Sequence, residues 1–418
     1  MFRSDAPSAA AGAHLSDDAD RRARAAALAC MVGLAVALGV GRFAFTPLLP
    51  LMLADGSIGL KAGSWLASAN YAGYFVGAVS CAALRVAPAR MVRFGLAATV
   101  LLTAAMGVGH LLPVWLVVRF VAGVVSAWTF VFVSQWGLRR LSELHAPEWS
   151  GVIYAGPGGG IVLTGLIGSA LAGHRAAPGW LGFAALSAVL SVAIWRTFGG
   201  VPAPAPGAPS APARHAAAAA AGAPAAVGNT RRHRADAAWL VVLYGMPGFG
   251  YIITATFLPV IARAALPAGS PWPDLFWPMF GAALIVGAIA AARLPGHWDN
   301  RLLLAAGCAT QALGIAAGIV WPNPAGFSVG SALLGLPFTA ITLFAMREAR
   351  RLHGERAAGL MGYATASYGV GQILGPLVAA PLTARFGSFS PALWVAAGAL
   401  LVGAAGFVVT AATRRVQP

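Results

Sequence analysis

Residues 39–50 (GVGRFAFTPLLP) and 248–259 (GFGYIITATFLP) repeat one pattern 209 positions apart, opening on Gly-x-Gly and closing on Leu-Pro. Arginines keep nearly the same register: Arg85 and Arg93 recur as Arg293 and Arg301 at an offset of 208, and Arg139-Arg140 recurs as Arg350-Arg351 at 211. A period of half the chain is a duplication, not a solenoid, whose repeats run to about 20–50 residues. Whatever the first half builds, the second must build again and pack against it.

Both copies lie in long apolar runs, and these decide the solvent. With 59% hydrophobic and 10% charged residues and a mean hydropathy of +0.75, the chain lacks the polar surface of a water-soluble globule. A helix crosses a bilayer with about 20 apolar residues, and the sequence predicts twelve spans: 25–53, 64–84, 94–112, 114–138, 151–171 and 180–198, then 237–261, 275–292, 302–321, 326–346, 359–382 and 392–413. The runs lack the period-two alternation of membrane strands, and a helix satisfies its own backbone. The expected fold is an all-α membrane protein of 12 transmembrane helices in two six-helix, pseudo-symmetric bundles.

Charge predicts the orientation. With both termini cytoplasmic, the inner segments hold 22 Lys and Arg and the outer loops four, Lys61, Arg175, Arg263 and Arg385, as the positive-inside rule requires. The expected location is the cell's inner membrane. The net charge of +16 is thereby scattered over short loops, and no nucleic-acid partner is expected. The division that follows is a disordered cytoplasmic tail at 1–24, an N-terminal bundle at 25–198, a Pro/Ala-rich cytoplasmic linker at 199–235, a C-terminal bundle at 236–413 and a cytoplasmic tail at 414–418. All three cysteines, Cys30, Cys81 and Cys308, fall in spans, and the eight histidines lie at loops, span ends or soluble segments. No metal site, cofactor or catalytic constellation is expected, so an enzyme is not. Residues 156–160 (GPGGG) lack the lysine of a phosphate loop.

Arg42 is the sharpest single residue, because a cation inside a span costs at least about 2.5 kcal/mol. Either it faces a central cavity and binds an anionic group, carboxylate above all, through its forked donors, or it donates to backbone carbonyls of a broken helix. Arg119, in the fourth span, either joins it or reaches the interface along its own stem. The position matching Arg42 in the second half is Tyr251, and the eleventh span offers Tyr363, Thr365, Ser367, Tyr368 and Gln372. With Asn70 and Tyr74 of the second span, Tyr251, Tyr368 and Gln372 would either form a neutral, aromatic, hydrogen-bonding wall opposite the cations or serve bonding between helices. Gly156, Pro157, Gly160, Gly375 and Pro376 read as packing or gating positions. Every acid sits in a tail, a loop or at a span edge, with Asp55 and Asp236 closest to a span interior. No buried carboxylate is therefore expected to carry a proton.

Twelve spans, cytoplasmic termini, a long central loop and a parallel repeat of six together resemble the major facilitator superfamily over nearly the whole chain. Residues 39–52 (GVGRFAFTPLLPLM) resemble the first-helix signature of its YbfB/YjiJ-type branch. Arg119 with Gly123 matches the Arg-x-x-x-Gly core of the superfamily's fourth helix, and Gly156-Pro157 with Gly160 is similar to an exporter motif, with Val152 and Ile161 where glycine is usual. The loop at 85–93 lacks the acid usual there. The resemblance implies a secondary transporter, monomeric and in contact with membrane lipid, that moves a small solute by alternating access. A drug or lipophile efflux carrier and a non-transporting receptor or scaffold stay open as alternatives.

Overall fold

The structure, a computed structural model, describes residues 8–199, 230–295, 297–354 and 357–415, which hold helices and no strand. The first half comprises α1 (Ser8–Leu34), a π-helical turn (Ala35–Val40), α2 (Phe45–Ala54), α3 (Leu60–Ser80), α4 (Pro88–Val108), α5 (Leu112–Glu143), α6 (Ser150–Tyr154), α7 (Gly156–Ala170) and α8 (Ala176–Trp195). The second comprises α9 (Thr230–Ala265), α10 (Trp272–Arg293), α11 (Asn300–Val320), α12 (Pro324–Gly335), α13 (Phe338–His353), α14 (Ala357–Phe386) and α15 (Ser390–Arg415).

Among the described residues ten helical stretches are long and apolar enough to cross a membrane, with α1 and α2, α6 and α7, and α12 and α13 each counting as one. Twelve were expected, and the shortfall has a physical cause. The second and eleventh spans, α3 with 21 residues and α14 with 30, are long enough but hold no stretch as apolar as the other ten. Several of their polar groups turn inward: α3 packs along α14, Ser68 Oγ donates to the Ile373 carbonyl at 2.8 Å, and Asn70, Tyr71 and Gln372 bond to α5 and α9.

The first helix begins at Ser8, so residues 8–24, expected as part of a disordered tail, are helical instead. Alanines favour that state, Asp18–Arg21 and Asp20–Arg24 pair one turn apart at 2.5 and 2.6 Å, and Ala23 is buried. Of the expected linker, residues 200–229 lie outside the described residues, as do 1–7 and 416–418.

Packing repeats with the sequence. A Cβ on Gly123 of α5 would stand 2.0 Å from the Asn70 carbonyl of α3, and one on Gly335 of α12 would stand 2.3 Å from the Phe280 carbonyl of α10. Each half thus crosses its second and fourth spans at a contact only glycine permits. Between the halves, α3 packs on α14 and α10 on α7, so the second span of each half lies on the fifth of the other. Thr46 Oγ1 donates to the Ala255 carbonyl at 3.0 Å, and these positions are also 209 apart. Equivalent positions meet at a twofold axis, and this contact marks where the pseudo-axis runs.

Two ends can be told apart by their contacts. At one, Asp55 accepts from the Ala176 N–H at 2.9 Å and Arg263 pairs with Asp274 at 2.5 Å. At the other, Arg93 donates to the Trp195 carbonyl at 3.1 Å, and Arg301 pairs with Asp236 at 2.8 Å and Glu348 at 2.7 Å. Buried apolar side chains form two clusters. The larger spans both halves and takes from the first mainly residues 40–52, Leu66, Trp115 and Trp180, towards the Asp55 end. The smaller belongs to the first half alone, with Ala23, Val36, Phe132, Leu141 and Phe198, towards the Arg301 end. The halves are thus held together chiefly near the Asp55 end.

Candidate functional site

The first span breaks where the repeated signature lies. Residues 35–40 are π-wound, with the Gly41 N–H donating to the Val36 carbonyl at 2.9 Å and the Phe43 N–H to the Leu38 carbonyl at 3.0 Å. Pro47 has no N–H to offer the Phe43 carbonyl. That carbonyl accepts from the Thr46 N–H at 3.2 Å instead, and the Arg42 carbonyl loses its helical donor. Such local rewinding is common where a helix serves function. In the second copy, α9 runs unbroken from Thr230 to Ala265.

Arg119 fills the gap. Buried to 2% exposure, it donates through Nη2 to the Arg42 carbonyl at 3.2 Å and through Nη1 to the Gly41 carbonyl at 3.4 Å. Its guanidinium lies 4.9 Å from the Phe45 ring centre. Asn70 Nδ2 donates to the Arg119 carbonyl at 2.9 Å and so ties α3 to α5 behind it. The backbone-capping role that the sequence left open for Arg42 is filled by Arg119.

Arg42 makes no such bond. It is 6% exposed, and among the described residues its Nε and Nη2 have no hydrogen-bond partner. Its charge rests on rings, 4.4 Å from the centre of Tyr74, 5.0 Å from Phe43 and 5.1 Å from Tyr71, which offsets part of its desolvation. Nε and Nη2 form one edge of the guanidinium, whose N–H bonds point the same way. That edge is the fork that takes both oxygens of a carboxylate.

From Phe43 a belt of rings runs into the second half. Phe43 meets Trp277 at 5.9 Å, Trp277 stacks on Phe280 at 5.0 Å, Phe280 meets Phe338 at 5.8 Å and Phe338 meets Tyr251 edge-on at 4.9 Å. Tyr251 stacks on Tyr368 at 5.8 Å, and Tyr368 on Tyr244 at 4.9 Å. Gln372 Nε2 donates to the Tyr251 hydroxyl, the Tyr244 hydroxyl donates to Thr342 Oγ1 at 3.0 Å, and the Tyr71 hydroxyl bonds Thr256 Oγ1 at 2.9 Å across the halves. Tyr251, Trp277 and Tyr244 are fully covered, whereas Tyr74 and Tyr368 are half-buried.

Of the residues singled out from sequence, Arg42, Tyr74, Tyr251, Tyr368 and Gln372 come together here. Arg119 and Asn70 stand behind them as supports. Tyr363, 71% exposed, and Thr365 lie on the other face of α14. Gly156 and Pro157 open α7, where a Cβ on Gly156 would stand 2.3 Å from the Met31 carbonyl and one on Gly160 would stand 2.6 Å from Gly39 Cα. Gly375 meets Ile252 as closely, and Pro376 lies within α14. Phe43, Tyr244, Trp277, Phe280 and Phe338 were missed. Tyr244 precedes Tyr251 by seven residues and Trp277 precedes Phe280 by three, spacings that place each pair on one helical face.

One acid departs from expectation. Glu348, 1% exposed, pairs with Arg301 and Arg351, and Arg301 also bonds the Thr410 carbonyl at 2.5 Å. It lies just past the expected end of the tenth span, at the Arg301 end, where it is engaged by arginines other than Arg42. No cluster of metal-ligating residues occurs among the described residues.

A family model described as "Uncharacterised MFS-type transporter YbfB" matches residues 34–408. No curated protein matches. Among solved structures, a variant of the nucleoside transporter NupG is similar at a TM-score of 0.68, over 92% of this chain and 99% of that one, with 14% sequence identity. A likeness at that identity carries the fold alone.

Proposed function

The chain belongs to this family of major facilitator transporters, and on that premise we propose that its solute is a small organic anion held by Arg42. The observation that carries the proposal is a deeply buried arginine whose forked edge has no partner. Uncompensated burial of a cation is costly, and a bound carboxylate supplies both the missing charge and the two missing acceptors.

Alternating access requires the halves to rock about the site. Among the described residues, Thr46 to Ala255, Ser68 to Ile373 and Tyr71 to Thr256 are the cross-half side-chain bonds of this conformation, and the opposite state must break them. The two glycine-rich crossings, α7 on the π-turn and α14 on α9, each lie within one half and hold together the helices that carry the cross-half contacts. The positive-inside count supports placing the Arg301 end in the cytoplasm of a cell whose inner membrane holds the protein, so that this conformation faces inward. With no acid paired to Arg42, a proton moves on the solute itself or through a rim histidine such as His110, or the cycle is an anion exchange or a uniport. Transport is that of a single chain.

A neutral aromatic or lipophilic solute is the second reading, favoured by the ring belt. Uptake of labelled organic acids and of their neutral amides into liposomes holding the purified full chain separates the two. Acids alone should enter above the empty-liposome background. Uptake of amides at equal rates overturns the anion reading, and uptake of nothing in either panel favours a receptor or scaffold.

A further inference from the structure

We infer that the solute is a monocarboxylate bearing a planar aromatic ring, an inference that rests on the reading of Arg42 as the anion's anchor. The number of carboxylates follows from how Arg42 and Arg119, the two arginines buried at this site, are used. Arg119 has turned its Nη1 and Nη2 to the carbonyls of Gly41 and Arg42. One fork is left, the Nε and Nη2 edge of Arg42, and it takes one carboxylate in two parallel bonds. A second carboxylate on the same solute would enter a wall of rings and find only the single Nε–H that Arg119 has left over, which offers no fork.

The body of the solute follows from the rings around that edge. Tyr251 is covered by Tyr368 and Phe338. Tyr74 and Tyr368, one from each half, are only half-covered, although α3 and α14, which carry them, are packed together. Tyr74 lies 4.4 Å from the Arg42 guanidinium, the shortest of that cation's ring contacts. Tyr368 is stacked by both Tyr244 and Tyr251, and Arg42 lies over one face of Tyr74, so a flat ring attached to a carboxylate on Arg42 would meet the edge of Tyr368 and the free face of Tyr74, edge-on or offset, the geometries aromatic pairs prefer. An aliphatic body of equal size fills the same space without that gain.

The test is calorimetric titration of the purified full chain in lipid nanodiscs with four probes: benzoate, cyclohexanecarboxylate, benzene-1,2-dicarboxylate and benzamide. Benzoate should bind, cyclohexanecarboxylate about fivefold more weakly, the dicarboxylate more weakly than benzoate, and benzamide at least about 100-fold more weakly because it loses the anionic charge and sets its NH2 against one arm of the fork. In Tyr368→Leu the ratio of benzoate to cyclohexanecarboxylate affinity should fall towards one. Equal affinities for those two acids in the wild type overturn the aromatic part and leave the anion reading standing. Tighter binding of the dicarboxylate overturns the single-carboxylate part. Benzamide binding as tightly as benzoate overturns this inference together with the role of Arg42, and binding of none of the four overturns the inference alone.

Discussion

Replacing each buried arginine by methionine, which keeps the apolar stem and removes the charge, should move stability in opposite directions. Arg119→Met loses one hydrogen bond of ordinary length, 3.2 Å, and one at the limit, 3.4 Å, and leaves two buried carbonyls bare. Bonds from a charged donor are worth about 1.5–3 kcal/mol each, so about 3–5 kcal/mol is lost against at least about 2.5 kcal/mol regained by no longer burying a cation. The net is at most about 0.5–2.5 kcal/mol of destabilisation. Arg42→Met loses only ring contacts, about 1–2 kcal/mol, against the same gain, and should be neutral or slightly stabilised. Thermal melting of the two variants and the wild type in one detergent reads the difference, with Arg119→Met several degrees below Arg42→Met. The reverse order would mean that the roles assigned to the two arginines are exchanged.

Glu348→Gln should destabilise the chain by about 3 kcal/mol, as breaking a buried ion pair does, because Arg301 keeps only Asp236 and a carbonyl; equilibrium unfolding in detergent measures it. Asp55 sits outside the spans; partial burial opposes its ionisation, but bonds from the Ala176 N–H and from Ser57 outweigh this and hold its carboxyl below the ordinary carboxylate value. Its contribution to stability is therefore complete above about pH 4, the unfolded value, and is lost as pH falls through the lower folded value, so acid melting curves of wild type and Asp55→Asn should converge only below that point. Single cysteines replacing Ala268 and Ser142 in a cysteine-free background should label from outside and inside respectively with a membrane-impermeant maleimide.

The architecture was legible because membrane insertion imposes long apolar runs and duplication imposes a register. The offset of 209 that aligns Gly39 with Gly248 is the offset at which Thr46 meets Ala255 in space. What periodicity could not show was how equivalent residues use different partners. Arg93 and Arg301 share a register, yet Arg93 ends on the Trp195 carbonyl whereas Arg301 ends on Glu348 and Asp236. Arg42 and Arg119 look alike in sequence as lone cations in spans. Only the Arg42 carbonyl, left bare when the Thr46 N–H turns to the Phe43 carbonyl that Pro47 cannot serve, tells them apart, because it gives Arg119 a structural partner and leaves the Arg42 side chain none. The ring belt escaped notice because Trp277, Phe280 and Phe338 stand in apolar surroundings where aromatic residues are ordinary, and their meeting depends on the crossing of α10 with α12 and α13.

The role of Arg42 is tested most directly by counterflow into liposomes, using the organic acid that the wild type carries fastest, with the wild type, Arg42→Ala and Arg42→Lys each reconstituted at equal folded amounts. Loss of two charge-assisted bonds, about 3–5 kcal/mol, predicts at least about a 100-fold fall in uptake at low solute for Arg42→Ala. Partial recovery is predicted for Arg42→Lys, which restores the charge without the planar fork. Uptake by Arg42→Ala close to that of the wild type would contradict the account, since the buried fork would then have nothing to do with the solute.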